Sequence, residues 1–308
     1  WSSDVCSSDL KSRVKGQDEI VEDVAELIRL NFAKDQRNKP ICNLLFLGPT
    51  GTGKTELAKA IGEFLFESED AILRFDCSEL SAPETGKTRL VGTPLGFVGA
   101  EQGGQLTRPI FANPKKVVLF DEIEKAHPIV FDLFLQLMGE GRLTEQGSGK
   151  TADFTQAVVI LTSNAQADKI ARIQQQQMDY LDMVNAVKSE LADSNVFRPE
   201  ILGRLDRVSV FKPLSGMTIA EIALQKTVRL AKEYGLTVEF VAPQLILQAL
   251  KANEKISRFG VRELERILFE MFAGKMATMK EKGVKNIKLG VTKDGKVDIA
   301  AVRKKEAA

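Results

Sequence analysis

The sequence predicts an α/β domain with a parallel five-stranded sheet, followed by a smaller, mostly helical C-terminal domain. Five short apolar runs alternate with helical patterns, which is typical of a parallel sheet covered by helices on both faces. A glycine-rich loop of the form GxxxxGK[ST] stands between the first apolar run and the helix after it. Beyond residue 212 the apolar spacing becomes mainly helical, and a chain of 308 residues is long enough for two domains.

The predicted elements follow from apolar spacing and from the breakers between them. The strands are predicted at 41–47, 71–75, 117–120, 157–161 and 208–211, each a short apolar run. Helical spacing predicts helices over 18–33, 55–66 and 128–138 in the first domain, and over 217–234, 243–252 and 261–280 in the second. Two short β-like pieces, 287–290 and 297–299, follow these helices.

These elements predict a large domain over 11–212, a small domain over 213–300 and a charged tail over 301–308. Residues 1–10, WSSDVCSSDL, differ in composition from the rest and resemble the in-frame translation of a common sequencing-library adapter. They have no charged and apolar regions of the signal-peptide kind. We therefore expect residues 1–10 to be non-native, with native sequence starting near Lys11 and continuing upstream in the natural protein.

Composition excludes several classes of protein. With 44% hydrophobic residues the chain has enough apolar material for a core, so global disorder is excluded. A net charge of +1 argues against a strongly basic nucleic-acid binder. No apolar stretch reaches the roughly 18 residues of a membrane span. The 3 cysteines lack the spacing of a disulfide framework or a zinc site, which indicates a reducing, cytoplasmic compartment.

The glycine-rich loop predicts a phosphate-binding site. Glycines let backbone N–H groups approach phosphates closely, and the N-terminus of the following helix favours negative charge. In this loop Lys54 would reach the β- and γ-phosphates of a nucleotide, and the Thr55 hydroxyl would ligate Mg²⁺. The predicted nucleotide-binding residues of the loop are Gly48, Pro49, Thr50, Gly51, Thr52, Gly53, Lys54 and Thr55.

An acidic pair ends the third apolar run and predicts hydrolysis of the nucleotide. Asp121 and Glu122 follow the run 117–120 directly. In parallel α/β sheets, ligands bind at the carboxyl ends of the strands, so the pair should lie beside the phosphate loop. Asp121 would bind Mg²⁺ through water, and Glu122 would be the general base for the attacking water.

Five segments, in this order, resemble the AAA+ ATPase core of the Clp protein unfoldases: FLGPTGTGKTELAKAIGEFLF, VVLFDEIEKAHP, GRLTEQGSGKTADF, VVILTSN and FRPEILGRLDRVSVFKPL. The similarity is greatest to the second ATPase module of the two-ring, ClpA/ClpB-type chaperones and extends over about residues 12–290. It implies ATP and Mg²⁺ as ligands and a hexameric ring. It also implies that unfolded or aggregated polypeptides are the substrates, threaded through a central pore.

The resemblance assigns further site residues by motif. Asn164 matches the sensor 1 residue, and Arg204 matches the arginine finger that acts on the neighbouring subunit's nucleotide. The family usually has Asn before that arginine, whereas this chain has Gly203, which is expected to loosen the backbone there. Arg262 matches sensor 2, and Val14 matches a residue that lines the adenine.

Two loops match the pore loops of this family. Phe97 and Val98 lie between glycines in the segment Gly-Phe-Val-Gly, where the family usually has Tyr in the position of Phe97. The segment 141–151 matches the second pore loop and is expected to be flexible and polar. Residues 165–195 contain no glycine and so lack the Gly-containing tripeptide with which some Clp unfoldases dock on a peptidase ring. This absence argues against peptidase docking by that route.

Two other classes of function stay open at this point. A nucleic-acid-remodelling AAA+ ATPase, of the clamp-loader or helicase kind, would share the nucleotide motifs, although the near-neutral charge argues against it. A binding module with ATP as a structural ligand would not need the acidic pair or Arg204.

Four other residues, an arginine, a histidine and two cysteines, are expected to have structural rather than catalytic or ligand-binding roles. Arg198 is expected to pair with an acidic surface, and His127, the only histidine, to cap or pack at a helix start. Cys42 and Cys77 are expected to be buried and inert.

Overall fold

The computed structural model describes residues 3–68, 71–176, 178–194, 196–251 and 261–302. The chain divides into two compact units. The first comprises 1–49 and 53–212, and the second comprises 213–308 together with 50–52. None of the described helices is both long and apolar enough to cross a membrane.

The first unit is built on a five-stranded parallel sheet. Its strands are β1 (Cys42–Leu47), β2 (Ile72–Asp76), β3 (Val117–Asp121), β6 (Val158–Ser163) and β7 (Arg207–Val210). They lie in the order β2-β3-β6-β1-β7, and all neighbouring pairs are parallel. This confirms the predicted α/β class and all five predicted strands.

Helices cover both faces of the sheet. They are α1 (Ser3–Arg13), α2 (Asp18–Phe32), α3 (Lys54–Phe66), α4 (Pro83–Val91), α5 (Thr107–Ala112), α6 (Pro128–Glu140), α7 (Ala167–Gln174), α8 (Tyr180–Asp193) and α9 (Pro199–Leu202). Alternate residues of each strand enter different layers: Leu44 and Phe46 pack with α1, α2 and α3, whereas Leu45 and Leu47 pack with α4, α5, α6 and α8. Because both faces are buried there, the central strands β1, β3 and β6 are almost continuous apolar runs, whereas the edge strand β2 carries exposed residues such as Arg74.

A small hairpin stands apart from the main sheet. Its strands, β4 (Arg142–Thr144) and β5 (Thr151–Asp153), pair antiparallel. Leu143 and Ala152 point from it into the core, next to Leu106 and Ile110. The sequence predicted a flexible loop over 141–151, and the structure instead has a paired hairpin whose connecting loop is residues 145–150.

Within the described residues 213–251 and 261–302, the second unit has three helices and a three-stranded sheet. The helices are α10 (Gly216–Glu233), α11 (Pro243–Lys251) and α12 (Val261–Glu281), and the strands are β8 (Thr237–Val241), β9 (Asn286–Val291) and β10 (Val297–Ala301). Strand β9 is central, parallel to β8 and antiparallel to β10. The three helices and the two C-terminal strands agree with the sequence prediction, whereas β8 was missed.

Helix α1 crosses the predicted junction between foreign and native residues. Leu10 is only 1% exposed and packs in the same cluster as Ile20 and Leu57. Arg13, at the end of α1, donates to Glu56 at 3.1 Å and also pairs with Glu63, so α1 is tied to α3. The origin of residues 1–10 stays a prediction, but the last of them belongs to the packed core.

The packing of α1 can be tested by truncating its buried leucine. We expect Leu10→Ala to lower the free energy of unfolding by about 2–5 kcal/mol, because it removes apolar contacts and leaves a cavity. Urea unfolding followed by circular dichroism measures the change. Leu181→Ala, at an exposed leucine of α8, is the matched control and should change the free energy by less than about 0.5 kcal/mol. Equal midpoints for both variants would show that α1 does not pack on the core.

Candidate functional site

The predicted chemical groups meet at one edge of the parallel sheet. The glycine-rich loop follows β1, Asp121 ends β3 with Glu122 directly after it, and Asn164 follows β6. Strand β6 lies between β1 and β3 and is parallel to both. Parallel strands end at the same edge, so the three segments come together although they are far apart in the sequence.

The ammonium group of Lys54 lies at the centre of this edge. Its Nζ donates to the carbonyl oxygens of Gly48 at 2.7 Å and Pro49 at 2.8 Å, and to Asn164 Oδ1 at 2.8 Å. Burial lowers the pKa of Lys54 to about 8, although the nearby carboxylates, Asp121 first among them, oppose this shift. A buried cation surrounded by oxygen acceptors is suited to bind anionic phosphate oxygens.

Two glycines of the loop have positive φ angles and close neighbours on the side where a Cβ would lie. Gly48 has φ +138°, and a Cβ there would lie 2.8 Å from the carbonyl oxygen of Phe211. Gly53 has φ +104°, and a Cβ there would lie 3.3 Å from Val14 Cγ1. The loop therefore needs glycine for backbone conformation and for close approach. The contact also shows that Val14 lies against the glycine-rich loop, where the resemblance assigned a nucleotide-lining residue.

Asp121 is held by its neighbours on both sides. Its Oδ2 accepts a hydrogen bond from Arg74 of β2 at 2.6 Å, and its Oδ1 accepts one from the Thr162 hydroxyl of β6. Neither Arg74 nor Thr162 is among the site residues predicted from the sequence. The register could have found Arg74, because Arg74 lies two residues before the residue paired with Asp121 in the β2–β3 ladder. The two contacts fix the orientation of the carboxylate at the sheet edge.

Glu122 has a left-handed backbone conformation, with φ 56°. Its N–H donates to Thr162 Oγ1 at 3.2 Å, and its Oε1 accepts from Asn164 Nδ2 at 3.2 Å. Positive φ is uncommon for a residue with a Cβ and is concentrated at functional sites. The asparagine side chain thus joins Lys54, through its oxygen, to Glu122, through its nitrogen.

A second glutamate supports this asparagine. Glu124 Oε1 accepts a hydrogen bond from the backbone N–H of Asn164 at 3.1 Å. Glu124 follows the acidic pair by two residues and was not singled out from the sequence. Thr55, the second residue of α3, is partly exposed.

The segment that carries Arg204 is anchored to β1 by a buried asparagine. Asn43 Nδ2 donates to the carbonyl oxygens of Met138 at 3.0 Å and of Arg204 at 3.2 Å. The Arg204 side chain is exposed and lies across Gly139 of α6, where a Cβ would be 2.6 Å from Arg204 Nε. No carboxylate in the described ranges pairs with its guanidinium group, whereas Arg198 pairs with Asp132 at 2.8 Å, as expected.

The expectation of a loose backbone at Gly203 is wrong. Gly203 has φ −68° and ψ −18°, an ordinary right-handed conformation at the end of α9. Its N–H donates to Pro199 O at 3.0 Å, and the next N–H, of Arg204, donates to Ile201 O at 3.0 Å. A side chain would fit there, because the nearest atom to a Cβ would be 3.5 Å away.

The remaining predictions have mixed outcomes. Arg262 lies within α12, but its side chain is outside the described residues, so its sensor role stays a prediction. His127 caps α6 by accepting the N–H of Ile129 on Nδ1 at 3.2 Å, which confirms the structural interpretation. Cys42 and Cys77 are buried, also as expected, and burial raises the pKa of both thiols.

The connection between α4 and α5, residues 92–106, is here named the first loop. It presents three apolar side chains to solvent at its tip: Leu95 is 79% exposed, Phe97 68% and Val98 fully. Two successive turns hold the tip, because Phe97 N donates to Pro94 O at 3.3 Å and Ala100 N donates to Phe97 O at 3.2 Å. Phe97 therefore does not lie in the core, and Leu95 is a third exposed residue that sequence analysis had not assigned to this group.

Comparison with known proteins agrees with this geometry. Residues 39–208 match the protein-family model described as "AAA domain (Cdc48 subfamily)". The chain belongs to this AAA family. Family membership supports an ATPase, with nucleotide as its ligand.

Curated relatives of this AAA chain carry the name ClpB. The chain is 41% identical to "Chaperone protein ClpB" of Wolinella succinogenes, over 88% of the chain and 31% of the relative. Identity to the protein of that name from Meiothermus ruber is 43%, over 84% of the chain and 30% of the relative. Identity to "Probable chaperone protein ClpB 1" of Chlorobaculum tepidum is 38%, over 88% of the chain and 63% of the relative. The chain thus spans about a third of the first two relatives.

Alanine substitutions at two glycines of this AAA unit should change the free energy of unfolding in opposite directions. Gly203→Ala should raise the free energy of unfolding by about 0.4–1 kcal/mol, because the conformation suits alanine and the unfolded chain loses freedom. Gly48→Ala should lower it by more than that amount, because of its positive φ and its contact with Phe211. Urea unfolding measures both. Destabilisation by Gly203→Ala would contradict the helical conformation found at that position.

Proposed function

We propose that the chain is an ATP-hydrolysing module of a ring-forming protein unfoldase or disaggregase that threads polypeptides through a central pore. The observation that carries the proposal is the hydrogen-bonded series Lys54–Asn164–Glu122, in which one asparagine side chain contacts both the phosphate-binding lysine and the proposed base. Through such a series, binding of a γ-phosphate at Lys54 can shift Asn164 and so change the position of Glu122, the group that activates water. The ClpB names of the relatives support the coupling to protein substrates.

The residues at the sheet edge fit a nucleotide with Mg²⁺. Hydroxyl and carboxylate oxygens, as on Thr55 and Asp121, are the ligands that Mg²⁺ prefers, usually with several waters retained. Both oxygens of Asp121 already accept one hydrogen bond each. Each has a further lone pair that can accept a hydrogen bond from a metal-bound water, as the proposed water-mediated contact requires. The metal ion would supply charge neutralisation at the phosphates.

The chain's own residues have separate roles in the proposed hydrolysis. Lys54 binds phosphate oxygens in place of the carbonyl groups it now contacts. Glu122 accepts a proton from the attacking water, whose oxygen forms the new bond to the γ-phosphorus as the bond to ADP breaks. Asn164 orients Glu122 through its amide nitrogen and contacts the phosphate side of the site through its amide oxygen. Val14 lines the nucleotide beside Gly53.

Arg204 supports a ring in which neighbouring subunits complete each other's sites. Its guanidinium is exposed, and no carboxylate of the described residues neutralises it, while its backbone is fixed by Asn43. A positioned, exposed arginine is suited to stabilise the charge on a phosphoryl group in another subunit. We propose a hexameric homo-oligomer in the cytoplasm, with Arg262 as the sensor 2 residue. Docking on a peptidase ring through a Gly-containing tripeptide is not part of the proposal.

The apolar tip of the first loop supports a polypeptide substrate. Phe97 and Val98, with Leu95 beside them, offer an exposed apolar surface that contacts any extended chain without reading its sequence. Exposed apolar groups of this size contribute little to the fold itself and mark interaction sites. We propose that this tip grips the polypeptide during threading.

The role of Glu122 is tested by Glu122→Gln. We expect ATP turnover to fall at least about 100-fold, because the amide cannot accept the proton of the attacking water. Nucleotide binding and nucleotide-dependent assembly should be retained, as measured by equilibrium binding and by light scattering. Glu281→Gln, at an exposed glutamate that ends α12, is the control and should keep wild-type turnover. Normal turnover in Glu122→Gln would refute the assignment of the base.

The role of Phe97 is tested by Phe97→Ala. We expect ATP turnover to stay within about twofold of wild type, while the unfolding of a fluorescent protein with an unstructured tail is lost, because the tip loses its largest apolar contact. Phe240→Ala, at a phenylalanine of β8 that is 52% exposed, is the matched control and should unfold the substrate normally. Retained unfolding in Phe97→Ala would contradict the proposed grip.

Stimulation of ATP turnover by DNA, and not by unfolded protein, would instead favour a nucleic-acid remodeller.

A further inference from the structure

Glu145 is a buried carboxylate outside the nucleotide site, at the start of the hairpin loop 145–150. It is 7% exposed, and both of its carboxylate oxygens accept hydrogen bonds. Oε1 accepts from the backbone N–H of Gly104 at 2.9 Å and from the Thr107 hydroxyl at 2.8 Å. Oε2 accepts from the Ser148 hydroxyl at 2.6 Å. The carboxylate thus joins the hairpin loop to the base of the first loop and to the start of α5.

These bonds favour the charged form of the group. Burial alone would raise the pKa of Glu145, but the hydrogen bonds from Ser148, Gly104 and Thr107 hold it below its ordinary value. A carboxylate with several donors is a strong acceptor, and each bond to a charged group is stronger than one between neutral groups. Glu145 therefore stays ionised at neutral pH and keeps these contacts.

The main chains of the two loops also touch directly. A Cβ at Gly147 would lie 2.2 Å from Ala100 O and 3.1 Å from Thr93 O, both in the first loop. Gln146 N donates to Val91 O at 2.8 Å, at the residue before the first loop. The hairpin loop is therefore seated along the two ends of the first loop, and only the tip with Phe97 extends freely.

Glycines on the opposite side make room for the carboxylate. A Cβ at Gly103, which has φ +69°, would lie 2.6 Å from Glu145 Oε1. A Cβ at Gly104 would lie 2.2 Å from Leu90 O and 2.6 Å from Thr107 Oγ1. Side chains at either position would displace the carboxylate or the residues that bind it. Two adjacent glycines, a buried threonine and a buried carboxylate thus form one fitted contact.

We infer that Glu145 is a positioning residue that fixes the base of the first loop to the hairpin, so that the tip bearing Phe97 and the hairpin loop move as one body. The inference rests on the proposed function, in which that tip grips a polypeptide. A tip that grips a polypeptide must transmit force between that polypeptide and the rest of the domain. If the base of the first loop could slide against the hairpin, part of each movement of the domain would not reach the tip. The polar hairpin loop would stiffen the apolar tip rather than grip substrate by itself.

Glu145→Gln is the variant that tests this inference. The glutamine oxygen can still accept from Gly104 and Thr107, but the negative charge is removed, and the amide nitrogen can no longer accept the hydrogen bond from Ser148. We expect hydrogen–deuterium exchange to become about tenfold faster or more at the Gly104 amide and to rise across 92–106, because the acceptor of its hydrogen bond loses its charge. ATP turnover should stay within about twofold of wild type, since the site residues are untouched. Unfolding of the tailed fluorescent protein should slow at least about fivefold.

Two further variants control for a change in charge and for a failure to fold. Glu101→Gln makes the same chemical change at an exposed position in the first loop and should leave exchange and unfolding unchanged. Ser148→Ala removes the Oε2 contact and, within the hairpin loop, the hydrogen bond that Ser148 Oγ accepts from the Lys150 N–H at 3.3 Å. We expect a smaller change of the same kind in 92–106. If Glu145→Gln does not fold, Ser148→Ala carries the test.

The outcomes separate this inference from the proposed function. Unchanged exchange over 92–106 in both Glu145→Gln and Ser148→Ala would overturn the inference. Faster exchange with wild-type unfolding activity would also overturn it, because the contact would then be merely structural. If the wild-type chain unfolds no substrate, the proposed function fails, and the exchange data alone then decide whether Glu145 fixes the two loops together.

Discussion

The position of β6 between β1 and β3 is the constraint on which the site depends. Because the three strands are parallel, their carboxyl ends deliver a lysine, an acidic pair and an asparagine to one edge within hydrogen-bonding distance. A swap of two strands would separate Lys54 from Glu122. The same packing buries Lys54 and lowers its pKa to about 8, which makes it a cation that gains from an anionic ligand.

Buried polar side chains within apolar strands hold this edge in place. Thr162 donates to Asp121 and accepts from the N–H of Glu122, so one hydroxyl orients both acidic residues. Asn43, on the neighbouring β1, donates to the carbonyl oxygens of Met138 and Arg204 and so ties the arginine segment to the sheet. Polar groups are costly in a core unless they are hydrogen-bonded, and here the Thr162 hydroxyl and the Asn43 amide nitrogen both have partners, whereas Asn43 Oδ1 has none.

The sequence predicted those elements whose apolar spacing is strong and left out those fixed by tertiary contacts. The strands of the large sheet are runs of apolar residues, and their order with the helices indicates a parallel sheet. The hairpin strands have three residues each, too few to show a period, and their pairing depends on Leu143 and Ala152 entering a core assembled elsewhere. Motifs identified Lys54 and Glu122, but Arg74 and Thr162 lie on neighbouring strands, and no spacing links them to Asp121. Glu124 lies only two residues after Glu122, but its contact with the Asn164 N–H depends on the fold. The contact of Arg74 with Asp121 can be predicted only once the register of β2 and β3 is known. The contacts of Glu145 can be seen only in the folded structure.

The first loop combines an exposed apolar tip with a base that contacts the hairpin. The shape of the tip and its position relative to the sheet have different physical causes. Leu95, Phe97 and Val98 are mostly exposed, so hydrophobic burial contributes little to holding the tip, and two turns with internal hydrogen bonds set its shape. These turns set the shape of the tip but not its position relative to the sheet. That position comes from the base, where Glu145 and the glycine at 147 contact backbone on both sides of the loop. An exposed apolar surface on a fixed base differs physically from one on a free loop, because contact with a chain then costs little ordering entropy and a pull on that chain is resisted by the domain.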